Sequence, residues 1–261
     1  MTVDPNATAP PAPVVLPRPG GLSVSAAPSG PVEPPAPVPP SGLDDELDIR
    51  WEVPVLFHSL GVALAEEERA AHIAEVAAEV WSGGTEFQRT TVAGWYAEIA
   101  AEAAEDGAVY AGFALLGTED DRVSVATLVI LAEESDTSEP EIAAAALVEY
   151  LSLDPANEVI RSDVNCGPAV LSVSGAVMDL TEQAGEPTSL NLAQAEVYLP
   201  VPDADTLLVC RLSTPSLRDF PEYVTMLAQM ADTVVYRRPG SPAQDDAVTL
   251  PGQSRMKEAF G

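Results

Sequence analysis

Residues 206–236, TLLVCRLSTPSLRDFPEYVTMLAQMADTVVY, contain the two patterns that decide the fold. An apolar run opens this stretch and predicts a strand on which Leu208, Cys210 and Leu212 share one face. A Ser-Thr-Pro turn follows, and the apolar residues then recur at helical spacing. The buried side of the predicted helix consists of Phe220, Tyr223, Leu227 and Met230.

The start of this helix carries a local signal. Asp219 followed by Glu222 resembles a capping box, in which side chains satisfy the free N–H groups of the first turn. Pro221 suits the first turn, where its missing N–H has no partner to lose. We therefore expect the helix to begin near residue 220 and residues 233–236 to add a short extension.

Upstream of this stretch, the apolar period changes repeatedly between that of a strand and that of a helix. Strands are predicted at 51–57, 109–117, 122–132, 157–164, 168–180 and 192–201, and helices at 64–81, 87–105 and 140–153. Strands in adjacent hairpins with helices between them favour an antiparallel sheet. The predicted class is therefore α+β, an antiparallel sheet covered by helices in a helix–sheet–helix sandwich.

The first two predicted helices are rich in alanine and glutamate, so few large residues mark their buried sides. In the first helix these are Ile73, Val76 and Val80. In the second helix the predicted apolar stripe consists of Val92, Trp95, Tyr96, Ile99 and Ala103.

Proline is concentrated at the N-terminal end, where residues 1–40 hold 13 of the 25 prolines. Such a stretch favours extended polyproline II conformations and cannot build a core. We expect a disordered Pro-rich arm at 1–44, a single domain at 45–238 and a disordered tail at 239–261. The arm is either a plain spacer or a ligand for an aromatic groove.

The net charge narrows the classes of partner. Forty-one acidic residues stand against 12 basic ones, which gives −29 at pH 7. That charge repels phosphate backbones and anionic lipid heads, so we predict no nucleic-acid partner. The favoured partner is a neutral or basic protein, or a cation. The alternative is that the negative charge serves only to keep the protein soluble.

Hydropathy and the N-terminal residues bear on location. No apolar run approaches the ~20 residues that cross a bilayer, so no membrane insertion is predicted. The first residues have neither the basic nor the apolar region of a secretory signal. We expect a cytoplasmic protein, and export by a route that needs no cleaved signal peptide stays open.

Catalytic and metal-binding motifs are missing from the sequence, which has no glycine-rich phosphate loop, no G-x-S-x-G and no H-E-x-x-H. We therefore predict no catalytic, cofactor-binding or metal-ligating residue and no cofactor. The acidic runs 44–45 and 119–121 are interpreted as solvated loop charges rather than calcium ligands. Cys166 and Cys210 are interpreted as buried thiols, with a disulfide as the alternative.

A family resemblance appears in residues 196–234, which run from EVYLPVPDAD to MADTV. A strand ending in Tyr198–Pro202, the turn Ser213–Pro215 and a helix ending in Met230–Thr233 resemble the C-terminal half of the Mog1/PsbP-like fold. They are most similar to an uncharacterised group of actinobacterial proteins with that fold, convincingly over 196–236 and loosely over 90–238. The resemblance implies a non-catalytic accessory module that docks onto other proteins. The Pro-rich arm and the two acidic helices depart from that family, and no partner-contacting residue is carried over.

A second motif lies between the first two helices. Trp81-Ser82-Gly83 matches the helix–W-x-G–helix pattern of type VII secretion substrates. Those substrates also carry a tyrosine four residues before an acid just after the second helix, whereas here Tyr150 and Asp154 lie far downstream. Trp81 is therefore interpreted first as a core residue at a helix end.

Three functions follow from these patterns. The leading hypothesis is a non-enzymatic accessory or protein-binding module that docks a neutral or basic protein. The second is a type VII secretion-linked protein, either a substrate or a component that handles one. The third is an enzyme with an unrecognised site of scattered acids, whose carboxyl pKa values would be raised.

Overall fold

The structure is a computed structural model that describes residues 48–118, 120–179 and 187–237. In chain order the strands are β1 (Asp48–Arg50), β2 (His58–Ser59), β3 (Ala108–Gly117), β4 (Val123–Glu134), β5 (Glu158–Val164), β6 (Gly167–Asp179), β7 (Ser189–Pro200), β8 (Thr206–Thr214) and β9 (Val235–Arg237). The α-helices are α1 (Glu66–Val80), α2 (Glu86–Glu105), α3 (Pro140–Leu151) and α4 (Phe220–Asp232). The predicted arm (1–44) and tail (239–261) lie outside the described residues.

Seven strands form one sheet in the order β2-β3-β4-β8-β7-β6-β5, and every neighbouring pair is antiparallel. The two remaining strands, β1 and β9, pair separately with each other. Four helices pack on the seven-stranded sheet. The predicted α+β class with an antiparallel sheet is confirmed.

The helix that follows the Ser-Thr-Pro turn covers one face of the sheet. Of its predicted apolar side, Tyr223, Leu227 and Met230 are each no more than 2% exposed, and Phe220 is half-buried against the same core. The strand residues on this face occupy every second position of each strand, because successive side chains point to opposite faces of the sheet. This face of the sheet includes Ala126, Leu128, Ile130, Ala195, Val197, Leu199, Leu208, Cys210 and Leu212.

The other three helices cover the opposite face in two groups. The α1–α2 pair buries Ile73, Val76 and Ala100 against Ala111 and Phe113 of β3. Helix α3 packs on β5, β6 and β7. The sheet therefore lies between helices on both sides, as a helix–sheet–helix sandwich requires.

The turn between β8 and α4 is joined to the start of β4 by side-chain hydrogen bonds. Thr214 Oγ1 donates to the carbonyl of Val125 at 2.5 Å. Ser216 Oγ accepts from the N–H of Val125 at 3.0 Å, and Thr214 Oγ1 accepts from the N–H of Ser216 at 2.9 Å. The Ser-Thr-Pro motif therefore holds two segments of the fold together.

The strand predicted at 51–57 is wrong. Residues 51–57 are not paired, and the Phe57 N–H donates to the Pro54 carbonyl at 3.0 Å in a turn. Pro54 has no N–H to give to a ladder, which favours a turn at this point. The apolar side chains of this segment still pack against the core on the α4 side of the sheet, namely Trp51, Val53, Leu56 and Phe57.

The capping box predicted for α4 is also wrong, because the Asp219 carboxylate is used elsewhere. A 3₁₀ turn over Leu217–Asp219 precedes α4, and Asp219 makes no side-chain cap bond. Arg122 donates from both terminal nitrogens to the two Asp219 oxygens, at 3.1 and 2.9 Å. Its Nε donates to Asp120 at 2.8 Å, so Arg122 links the β3–β4 loop to the start of α4.

This ion cluster predicts a response to acid. Hydrogen bonds from Arg122 lower the pKa of Asp120 to about 2 and also lower the pKa of Asp219. A carboxyl group whose pKa is lower in the folded state stabilises the protein above its unfolded pKa, near 4. That contribution is lost as the pH falls from about 4 towards 2. For each protein, the urea midpoint between pH 4 and pH 2 is compared with its own value at pH 6. We expect this change to be smaller for Arg122→Gln than for the wild-type protein.

The matched control is Arg161→Gln, because Arg161 pairs with a strongly exposed carboxylate, Glu141. Protonation of the many other carboxylates changes the overall repulsion in all three proteins alike, so the comparison isolates the cluster. If the wild-type and Arg122→Gln proteins lose stability in parallel between pH 4 and 2, the cluster does not stabilise the fold.

Candidate functional site

The α1–α2 hairpin carries a strongly acidic stretch of the described chain. Residues 66–106 hold nine glutamates and one aspartate against two arginines. Glutamates at 66, 67 and 68 lie in the first turn of α1, where the helix dipole favours negative charge. The other acids lie along the exposed sides of both helices. This hairpin therefore presents an acidic surface to solvent.

Local chemistry explains the turn between the two helices. The N–H of Trp81 still donates to the Ala77 carbonyl at 3.0 Å, which ends α1. Gly84 donates to the Trp81 carbonyl at 2.8 Å. Thr85 then begins α2 with a capping box, in which its side chain accepts from the Gln88 N–H and its own N–H donates to the Gln88 side chain.

Trp81 is linked to the sheet through Tyr96. Its indole N–H donates to the Tyr96 hydroxyl at 3.4 Å, and the Tyr96 ring lies 4.3 Å from that of Phe113. Burial raises the pKa of Tyr96, with the Trp81 hydrogen bond acting in the opposite direction. Trp81 is half-buried at the end of α1, so its predicted position at a helix end is confirmed and its predicted burial in the core is not. Tyr150 and Asp154 lie at and just beyond the end of α3, and not after α2.

The apolar stripe predicted for α2 is partly wrong. Val92 and Ala103 are buried and Tyr96 is half-buried, but Trp95 is 58% exposed and Ile99 is 45% exposed. The helix buries alanines in their place, with Ala100 fully buried and Ala93, Ala97 and Ala104 packed around it. The structure therefore leaves large apolar side chains of α2 facing solvent.

A second surface lies on the sheet, on the face that α1, α2 and α3 share. We call it the polar strip, and it consists of half-buried side chains on β4, β7 and β8: Thr127, Gln194, Glu196, Tyr198, Arg211 and Ser213. Arg211 pairs with Glu196, and the Tyr198 hydroxyl donates to Glu196 at 2.6 Å. Gln194 donates to Ser213 Oγ at 3.1 Å. The members of the polar strip bond chiefly to one another, as polar groups that are partly shielded from water usually do.

No protein-family model, curated protein or solved structure matches this chain. The resemblance to the Mog1/PsbP-like fold remains a prediction. The three motifs that carry it have structural places here, since Tyr198–Pro202 completes β7 and its turn, Ser213–Pro215 forms the joint to β4, and Thr233 ends α4. The Thr233 hydroxyl donates to the Met230 carbonyl at 2.7 Å and accepts from the Glu52 N–H at 2.9 Å.

The two cysteines are free thiols, so the alternative of a disulfide is wrong for this structure. Cys210 lies in the centre of β8, and Cys166 lies in the turn between β5 and β6. Burial raises the pKa of the Cys210 thiol to about 12 and also raises the pKa of Cys166. A high pKa makes a thiol a poor nucleophile, because only the thiolate reacts.

We therefore expect both thiols to react slowly with a disulfide reagent while the protein is folded. At pH 7 the Cys210 thiolate fraction should be at least about a hundredfold below that of an exposed cysteine, because each pKa unit is a factor of ten. The measurement is the rate of reaction with Ellman's reagent in buffer and in denaturant, for Cys166→Ser and Cys210→Ser separately. Rapid reaction of the folded Cys166→Ser variant, which keeps only Cys210, would contradict the burial of Cys210.

The histidines and acids show no assembled metal site within the part of the chain that the structure describes. His58 lies on β2, with its ring 5.5 Å from that of Phe113, and His72 Nε2 lies 2.9 Å from the Ser59 carbonyl oxygen. Among the described carboxyl groups, the shifted ones have lowered pKa values, which is opposite to the shift expected of an acidic catalytic site. Of the acidic runs, Asp120 is used by Arg122, while residues 44–45 and Glu119 lie outside the described residues.

Hydropathy adds one finding. In residues 48–118, 120–179 and 187–237, no helix is long and apolar enough to cross a membrane.

The sequence did not predict the polar strip or the exposed apolar side chains of α2. The signal for the latter was the spacing of alanines on α2, since a row of small residues also marks a face that packs closely on another helix.

Proposed function

We propose that this protein is a non-enzymatic accessory module that docks a neutral or basic protein through the α1–α2 hairpin. The observation that carries the proposal is the exposure of large apolar side chains on an acidic surface, with Phe87 80% and Trp95 58% exposed. Aromatic residues of this kind dominate binding energy at protein interfaces. The surrounding carboxylates would steer a positively charged partner towards them.

Two further observations support this choice of surface. The buried side of the hairpin already packs on β3, so its exposed side is not needed to complete the core. The polar strip offers no large exposed apolar side chain, because its members are polar and bonded to one another. The proposal also places the protein in the cytoplasm.

The test is affinity capture of the full chain from lysate of its native host. We expect one stoichiometric neutral or basic protein that added salt releases, since ionic attraction between exposed groups is screened by salt. The matched comparison is a Glu98→Lys, Glu102→Lys variant, which should recover less of that protein. An acidic partner, or turnover of a substrate by the purified chain, would contradict the proposal.

A role in type VII secretion is a second candidate, and one observation favours it. Trp81-Ser82-Gly83 lies in the turn of a helical hairpin, which is where the resembling substrates carry their W-x-G. The test is the distribution of the full chain between cells and medium of a secreting host. Presence in the cell pellet alone would count against export, and recovery of secretion components in the capture would count for a handling role.

A further inference from the structure

Three exposed apolar side chains lie on one line along α2, which the half-buried Thr91 interrupts between Phe87 and Trp95. Phe87, Trp95 and Ile99 are spaced by multiples of four residues, and such positions follow one ridge of a helix surface. They are 80%, 58% and 45% exposed, respectively. We call this row the α2 ridge. It runs from residue 87 to residue 99, which is 12 steps or about 18 Å at 1.5 Å per residue.

Carboxylates border the α2 ridge at fixed offsets. Glu98 stands three residues after Trp95, and Glu102 stands three residues after Ile99, so each lies beside an apolar residue on the helix surface. Both glutamates are exposed. A partner that covers the ridge must therefore place positive charges next to its apolar side chains.

The helix surface beside the α2 ridge has an open space at Gly94. Gly94 adds no side chain, and an added Cβ there would meet no atom within 4 Å. Its φ is not positive, so backbone conformation does not require glycine at this position. Open space beside an exposed aromatic ring gives an incoming side chain room to enter between neighbouring ridges.

We propose that the α2 ridge binds a basic amphipathic helix of another protein. The inference rests on the proposed function and identifies the kind of partner that it needs. A helix of about 12 residues matches the length of the ridge, and its lysines or arginines would face Glu98 and Glu102. A second copy of this chain fits poorly, because two chains of net charge −29 repel each other.

The test uses a defined probe. An 18-residue peptide of leucine and lysine, with leucines at helical spacing, carries a fluorescent label, and its anisotropy is measured against the full chain. We expect Trp95→Ala with Ile99→Ala to weaken binding about tenfold or more, as for hot-spot residues. The matched control is Tyr150→Ala with Leu153→Ala, two exposed apolar residues at the end of α3, and it should bind as the wild-type protein does. All four substituted side chains are exposed, so melting temperatures should stay close to the wild-type value.

Specificity for an amphipathic helix comes from a second peptide. A peptide of the same composition, scrambled so that its leucines no longer share one side, keeps the charge and loses the apolar face. We expect it to bind at least about tenfold more weakly, since charge alone attracts without filling the ridge. Equal affinity of the two peptides, or unchanged affinity in the Trp95→Ala, Ile99→Ala protein, would overturn the inference.

Two other occupants of the α2 ridge can be tested with the same proteins, namely a second copy of the chain and the chain's own C-terminal residues. If sedimentation shows a wild-type dimer that the Trp95→Ala, Ile99→Ala protein does not form, a second copy covers the ridge and the inference is wrong. If deletion of residues 238–261 strengthens peptide binding, the chain's own tail covers it and the inference is again wrong. Monomers whose affinity is unaffected by the deletion support the inference.

Failure of this inference and failure of the proposed function give different results. A protein captured equally well by the wild-type chain and the Trp95→Ala, Ile99→Ala protein would leave the docking function standing and remove the ridge from it. Capture of no stoichiometric protein by the wild-type chain would count against the docking function, and the peptide measurement would still report on the ridge by itself.

Discussion

Replacing Leu227 with alanine is expected to lower the free energy of unfolding by about 2–5 kcal/mol. Leu227 lies in the middle of α4, is 2% exposed and belongs to the core on the α4 side of the sheet. Truncation removes buried apolar surface and leaves a cavity that the surrounding strands fill only in part. Urea denaturation, followed by circular dichroism and by tryptophan fluorescence together, measures the loss and tests for a single transition.

Leu153→Ala is the matched control for Leu227→Ala. Leu153 follows α3 and is 79% exposed, so its truncation should change the unfolding free energy by no more than about 0.5 kcal/mol. Similar losses in the two variants would mean that α4 does not pack on the sheet as described.

Gly112→Ala is expected to destabilise the fold by about 1–3 kcal/mol through crowding. Gly112 lies on β3 beneath the ring of Tyr110, and a Cβ at this position would lie 2.4 Å from the Tyr110 hydroxyl oxygen. It would also lie 3.0 Å from the backbone carbonyl oxygen of His58, which pairs with β3 through β2. The Tyr110 ring could move aside, but the strand backbone at His58 yields less readily.

Gly175→Ala provides the comparison within the same sheet. Gly175 lies on β6, and an added Cβ would meet only the Leu192 carbonyl oxygen, at 3.9 Å. We expect this variant to be neutral or stabilised by up to about 1 kcal/mol, because alanine restricts the unfolded chain. The difference between the two urea midpoints therefore isolates the crowding at Gly112. A Gly112→Ala protein as stable as Gly175→Ala would show that Tyr110 does not lie over the strand.

The strands and α4 could be predicted from the sequence because their burial alternates with a regular period. Leu208, Cys210 and Leu212 are all buried on the α4 face, and their spacing of two residues is visible in the letters alone. Tyr223, Leu227 and Met230 recur at helical spacing because a single side of α4 touches the sheet. Where one side of a helix or strand is buried and the other is exposed to water, the spacing of apolar residues is visible in the sequence.

Two of the errors arose where contacts distant in sequence decide the structure. Asp219 has the spacing of a cap, but Arg122, 97 residues away, takes both of its carboxylate oxygens. On α2 the largest residues were assigned to the core, whereas the close approach of α1 and β3 selects alanines and turns Trp95 outwards. The contact of Asp219 leaves no local signal, because it depends on which element lies opposite, whereas on α2 the spacing of the alanines was the available signal.

The candidate site was predictable only in its charge. The acidic character of residues 66–106 is plain in the sequence, and so is the preference for a neutral or basic partner. Exposure of Trp95 and Ile99, on which the α2 ridge depends, required knowledge of how the hairpin is oriented on β3. The polar strip likewise required the pairing of β7 with β8, which brings Glu196 opposite Arg211.

The pairing of β1 with β9 has a consequence for how the domain can be joined to other chains. Asp48 and Arg237 are direct register partners, so the described fold starts and stops at neighbouring points, about 4.5–5.5 Å apart between Cα atoms. A domain with this geometry can be inserted into a loop of a host protein without forcing the two sides of that loop apart. The segments before residue 48 and after residue 237 are therefore attached to the domain at neighbouring points. A molecule bound by one of these segments is kept at a high local concentration near the other.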